Sequence, residues 1–139
     1  MTIEAEKLRV ARDARGSVFE PLDAEGLARQ KNVHVVLTRP GGVRGNHFHR
    51  DMAEVLTVYG PALVRVREAG LIRDLVVPEH EVHRFTFPPG VAHAILNTGA
   101  EAGLLVSFST RPHDPEHPDV VRDLLIEPQP DGTPSGCDG

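Results

Sequence analysis

The chain has 139 residues, 40% of them apolar, and a formal net charge of −5. That length suits one domain that folds without disulfides, and the acidic balance works against nucleic acid, whose binding rests on clustered cations. No stretch approaches the roughly 20 consecutive apolar residues of a membrane span. Residues Met1 to Val10 show no basic-then-apolar leader, so a cytoplasmic protein is expected. The single cysteine, Cys137, stands in a polar tail and has no partner for a disulfide or a zinc knuckle.

Twelve prolines and thirteen glycines punctuate short apolar runs, and no long stretch keeps a 3.6-residue period. This predicts an all-β barrel or sandwich. Ala24 to Gln30 is the one helical candidate near the front, a turn or two long. Val33 to Leu37 is the first clear strand, closed by Arg39-Pro40-Gly41-Gly42. Glu54 to Tyr59 follows and ends at Gly60-Pro61. Leu63 to Arg67 alternates Val64 and Val66 with Arg65 and Arg67, the pattern of a half-buried strand.

Glu68-Ala69-Gly70 then turns into Leu71 to Val77, which Pro78 stops. Val82 to Phe87 runs into Pro88-Pro89-Gly90, where proline presets φ and glycine accepts positive φ. Ala92 to Asn97 and Leu104 to Thr110 complete the strands, and Asp119 to Leu125 reads as a short helix or an edge strand. From Pro128 to Gly139 there is nothing to bury, so a disordered tail is expected. Val33, Val35, Leu37, Leu56, Val58, Ile95 and Leu105 are the expected core or pocket wall, with Phe19, Phe85, Phe87 and Phe108 as packing residues.

Chemistry concentrates at His47-Phe48-His49. Residues two apart on a strand share a face, so both imidazoles project together. Glu54 heads the next strand across a short turn, which resets facing, and His93 lies on a separate strand. Three imidazoles and a carboxylate form a nitrogen and oxygen set that suits first-row divalent metals. His80, His113 and His117 fall in proline-rich loops and are expected to face solvent. His34 and His83 alternate with apolar residues and are assigned to neither face. Asn97 is expected to brace its turn.

Gly41, His47, His49 and Glu54 resemble the first cupin signature, and Pro88, Gly90, His93 and Asn97 the second. Further stretches, Asp13 to Glu20, Pro40 to His49 and Asp114 to Asp119, are similar to the C-terminal cupin domain of bifunctional capsular-polysaccharide enzymes acting on nucleotide-linked keto-sugars. The Asp-x-Arg-Gly and Arg-Gly-x-His segments also resemble nucleoside-diphosphate keto-sugar epimerases and ketoisomerases. The likeness runs from about residue 13 to residue 125. It departs between the histidine pair and the glutamate, where Arg50-Asp51-Met52-Ala53 replaces a segment that usually holds a lysine. The reductase domain that those capsular enzymes carry upstream has no counterpart in these residues.

The resemblance implies a single cupin domain over residues 1–127, a double-stranded β-helix or jelly-roll barrel, ahead of the tail 128–139. It implies one divalent ion (Zn, Fe, Mn or Ni) on His47, His49, Glu54 and His93. It also implies a sugar-nucleotide substrate, a place in polysaccharide or glycosylated-metabolite biosynthesis, and a homodimer. Epimerisation beside a ketone needs a stabilised enolate and groups that move the proton. The proton-moving candidates are Tyr59, His83 and His34, with Glu20 either among them or on the substrate. Arg15 and Arg44, each followed by glycine, are candidates for the diphosphate. In epimerases without a metal, the histidine corresponding to His47 is the base instead. An iron-dependent dioxygenase and a non-catalytic sugar-binding or regulatory module stay open as alternatives.

Overall fold

The structure is a computed structural model that describes residues 2–129. The tail expected from residue 128 falls, apart from its first two residues, outside the described residues, as does Cys137.

Two five-stranded antiparallel sheets face each other. One holds β1 (Glu4–Lys7), β9 (Val82–Phe87), β6 (Glu54–Tyr59), β11 (Gly103–Ser109) and β4 (Asn32–Thr38), in that spatial order. The other holds β12 (Val120–Arg122), β5 (Val43–His49), β10 (Ala92–Asn97), β7 (Ala62–Glu68) and β8 (Leu71–Val77). A small hairpin of β2 (Ala11–Asp13) and β3 (Gly16–Val18) stands apart, and α1 (Ala24–Ala28) is a single short helix. Each sheet interleaves strands from both halves of the chain, as a jelly-roll does. The Asp119 to Leu125 segment, read as a short helix or an edge strand, forms the edge strand β12 over Val120–Arg122 only.

Alternation decides what is inside. Leu56 and Val58 of β6, Val64 and Val66 of β7, Phe85 and Phe87 of β9, Ile95 of β10 and Leu105 of β11 interdigitate between the sheets in one core. A second cluster forms on the outer face of the other sheet. There Leu125 and Ile126 cover Ala92 and Ala94, with Val43, Phe48, Leu63 and Leu96 packed around them.

The expectation for β4 is corrected here. Val33, Val35 and Leu37 are 54%, 69% and 65% exposed. Val36 and Thr38 are the buried residues of that strand, because they pair with Leu105 and Gly103 of β11, and paired residues share a face. The apolar content of this strand pointed to burial, but its edge position leaves the outward row uncovered. Phe19, also expected to pack, is only half-buried and lies 6.1 Å from the Tyr59 ring.

Candidate functional site

His47 and His49 project from β5, Glu54 from the first position of β6 in the opposite sheet, and His93 from β10. His93 pairs directly with His47 across the β5–β10 ladder. One ligand atom from each of the four side chains lies within 4.8 Å of those from the other three, and all four residues are buried. The His47 ring stands 4.9 Å from that of His49 and 5.0 Å from that of His93, nearly perpendicular to the latter. Phe87 stacks on His93 at 4.0 Å and walls off the centre from the core.

The hydrogen bonds around these side chains orient them. His93 Nδ1 donates to Val91 O at 3.0 Å, and His49 Nδ1 donates to Asp119 O at 3.1 Å. A nitrogen facing a carbonyl must carry the proton, which leaves Nε2 of each ring turned toward Glu54. His93 Nε2 lies 2.7 Å from Glu54 Oε1, and His49 Nε2 lies 3.4 Å from Oε2. Ser107 Oγ also donates to Oε2, at 3.2 Å. Burial pushes the Glu54 carboxyl up, but hydrogen bonds and charge from His49 and His93 outweigh it and hold Glu54 well below the usual carboxylate range. Burial pulls His49 down, and its pairing with Glu54 more than reverses that, so its pKa is raised.

The donor set fits a divalent cation. Both Nδ1 atoms are committed to carbonyls, so two imidazoles can face one carboxylate only by carrying a second proton each or by sharing a cation. Three imidazole nitrogens and a carboxylate oxygen are the chemistry of zinc and other first-row ions.

The other sequence candidates scatter. Tyr59 alternates with inward Leu56 and Val58, so it points to the outer face of its sheet. There Arg12 Nη1 donates to its hydroxyl at 3.3 Å and holds its pKa below the usual phenol range. His83 faces inward at the far end of an aromatic row through Phe85 and Phe87, and its Nε2 lies 2.9 Å from Glu81 Oε1. His34 faces inward on β4, opposite Ser107, yet is exposed. Its ring lies 6.2 Å from that of His113. Arg15 sits exposed in the β2–β3 turn on Asp13, 2.6 Å away, and Glu20 is exposed beyond that hairpin. Asn97 braces its turn as expected, donating to Thr38 O and Glu101 O and accepting from Gly99 N.

Arg44 is where the fold overrides strand parity. Counting back from His47 puts residue 44 on the opposite face, but a bulge intervenes: His93 pairs with His47, while Ala94 pairs with Gly45 and Ile95 with Arg44. The extra residue is Asn46, at φ 58°, and it turns Arg44 to the core side with Ile95. Gly45, at φ 87°, passes so close to β10 that a Cβ would lie 2.6 Å from His93 O. Arg44 donates to Thr38 Oγ1 at 3.3 Å and to Leu37 O at 3.1 Å.

Three residues near the centre went unnoticed in the sequence. Arg122 pairs with His47 across the β5–β12 ladder, so it shares the inward face. Ser107 braces Glu54. Asp119 accepts from three successive amides of the turn between His49 and Glu54. Ser107 had a signal as a polar side chain two positions from apolar Leu105 on a strand, and Asp119 closes the Asp114 to Asp119 stretch, but neither was read as a site residue.

A family model for the polysaccharide biosynthesis C-terminal domain matches residues 11–121. The capsular polysaccharide assembling protein CapF from Staphylococcus aureus is 25% identical, with a TM-score of 0.64 over 85% of this chain. This chain spans about a third of CapF, 33% of its length. NovW from Streptomyces spheroides, a 4-keto-6-deoxy sugar epimerase, is 17% identical with a TM-score of 0.66, covering 82% of this chain and 66% of its own. A 3,4-ketoisomerase from Helicobacter canadensis is 14% identical with a TM-score of 0.68, covering 88% and 92%. These last two likenesses concern the fold. No curated protein matches the chain.

Proposed function

Since the chain belongs to the polysaccharide biosynthesis C-terminal domain family, we propose that it is a metal-dependent epimerase or isomerase of a nucleotide-linked keto-sugar. The observation that carries this is the convergence of His47, His49, Glu54 and His93 from both sheets on one buried point. The kinship with CapF and the shared fold with keto-sugar epimerases and ketoisomerases support it.

His47, His49, Glu54 and His93 would hold a divalent ion, which when bound would supply Lewis acidity for the ketone oxygen of the sugar and so acidify the adjacent carbon. The protein does the rest. His49 and His93 hold their Nε2 atoms inward through the Nδ1 bonds described above, and Phe87 keeps water away from the centre on the core side. Arg44 and Arg122, both on the inward face of their strands, offer guanidinium groups to the diphosphate. The carbon-bound proton must leave on one face and return on the other. His34, inward-facing and solvent-accessible on β4, is the best placed of the proton-moving candidates, because it can exchange its proton with water between turnovers.

A second reading treats the four side chains as a proton relay with His47 as base, and the 2.7 Å contact between His93 and Glu54 favours it. One experiment separates the two. The purified protein is analysed for first-row metals, then incubated in D2O with a nucleotide-linked 4-keto-6-deoxy sugar before and after chelation. The proposal expects bound metal and deuterium uptake beside the ketone that chelation abolishes. Uptake that survives complete removal of metal moves the assignment to the relay, and no uptake in any state refutes both.

A further inference from the structure

Asp119 stands at the entrance to β12, some seventy residues from the histidine pair in sequence, and holds the ligand-bearing turn in two ways. Its carboxylate accepts the amide of Arg50 at 2.9 Å, the amide of Asp51 at 3.1 Å on each oxygen, and the amide of Met52 at 3.0 Å. Its carbonyl accepts from His49 Nδ1 at 3.1 Å. The turn from residue 50 to residue 53 is the only covalent link between His49 in one sheet and Glu54 in the other. One residue therefore fixes both the tautomer of a donor imidazole and the spacing between two donors.

Successive backbone amides converging on a carboxylate form an anion-binding concavity, and hydrogen bonds to an ionised acceptor are stronger than neutral ones. A turn held this way does not adjust freely as an ion enters. A histidine whose Nδ1–H is fixed by a carbonyl presents its Nε2 lone pair in one direction. The pairing of Val120 with His49 keeps Asp119 in register with the imidazole it orients.

We infer that Asp119 is a positioning residue for the four-donor centre, setting its affinity and coordination geometry without touching the ion. This rests on the reading that the centre holds a divalent ion.

The test titrates the metal-free full chain with Co(II), following the d–d absorption and competing with a chelator of known affinity. Four proteins are compared: the unaltered chain, Asp119→Asn, Asp119→Ala and Thr57→Val. Thr57→Val removes a buried hydrogen bond to Pro21 O on the outer face of the opposite sheet, and controls for lost stability alone. Asp119→Ala is expected to weaken Co(II) binding by about 10–100-fold and to shift the d–d band. Asp119→Asn, which keeps an acceptor oxygen, falls between, and it decides the matter if the alanine variant does not fold. Thr57→Val melts earlier but binds as the unaltered chain does. Unchanged affinity and spectrum in the Asp119 variants overturn the inference, as does an equal loss in Thr57→Val. An unaltered chain that takes up no Co(II) refutes the metal reading itself and the inference with it, a result distinct from either of those.

Discussion

Asn46 is the residue whose replacement tests most of the fold at once. It is 5% exposed and sits at φ 58°, a left-handed conformation that asparagine tolerates and alanine resists. Its side-chain oxygen accepts from Leu125 N at 2.8 Å and Ile126 N at 3.0 Å, and its amide donates to Ile126 O at 3.0 Å. Asn46→Ala removes all three bonds and leaves three backbone groups beside a buried apolar cluster. At about 1–3 kcal/mol for each stranded group, reduced where the C-terminal segment lifts and hydrates, the loss comes to about 3–5 kcal/mol. Backbone strain at alanine adds about 1 kcal/mol. Against a typical stability of about 5–15 kcal/mol, that is a large fraction. Urea denaturation followed by circular dichroism measures it, and Asn46→Gly, which removes the strain but not the lost bonds, should lose about 1 kcal/mol less. An alanine variant within about 1 kcal/mol of the unaltered chain would mean that the 125–126 segment is not held by Asn46, and would refute the account of the bulge as well.

Metal affinity is expected to fall with acid. The His49 pKa is raised, so protons compete for it from above its ordinary value downward, and titrations from pH 8 to pH 5 should show steady weakening with proton release on binding. An affinity flat across that range excludes His49 as a ligand. In the metal-free chain the His49–Glu54 pair contributes stability that is complete below the unfolded histidine value and is lost as pH rises through the raised one. The Glu54 part is present above the unfolded carboxylate value and is lost only as pH falls toward the depressed one, so melting curves should show their maximum on the mildly acidic side. Arg44→Ala and Arg122→Ala should each raise KM for a nucleotide sugar by about 10–100-fold, the worth of one or two charged hydrogen bonds, with little change in bound metal; unchanged KM in both removes them from the diphosphate.

The four donors were legible because each part of the signal is local. His47 and His49 share a face by the two-residue period of a strand, and the Pro88 to Gly90 turn sets His93 at the start of its own strand. The strands from Glu54 to Ser109 were legible for the same reason, since proline and glycine mark their ends. Sequence alone thus determined an all-β barrel carrying three imidazoles and a carboxylate on three strands, two of the imidazoles on one of them. The tertiary structure decided which of the remaining residues join them. Arg44 turns inward only because a bulge at Asn46 breaks the parity that counting relies on. Val33, Val35 and Leu37 lie outside because Val36 and Thr38 face the core with Leu105 and Gly103, and that choice of face depends on pairing between distant segments. Arg122, Ser107 and Asp119 reach the centre through ladders and hydrogen bonds across 53 to 75 positions of chain (Ser107 to Glu54, Arg122 to His47). Facing is a property of a few neighbouring peptides, whereas adjacency is set by how whole sheets close, and no window along the chain contains it.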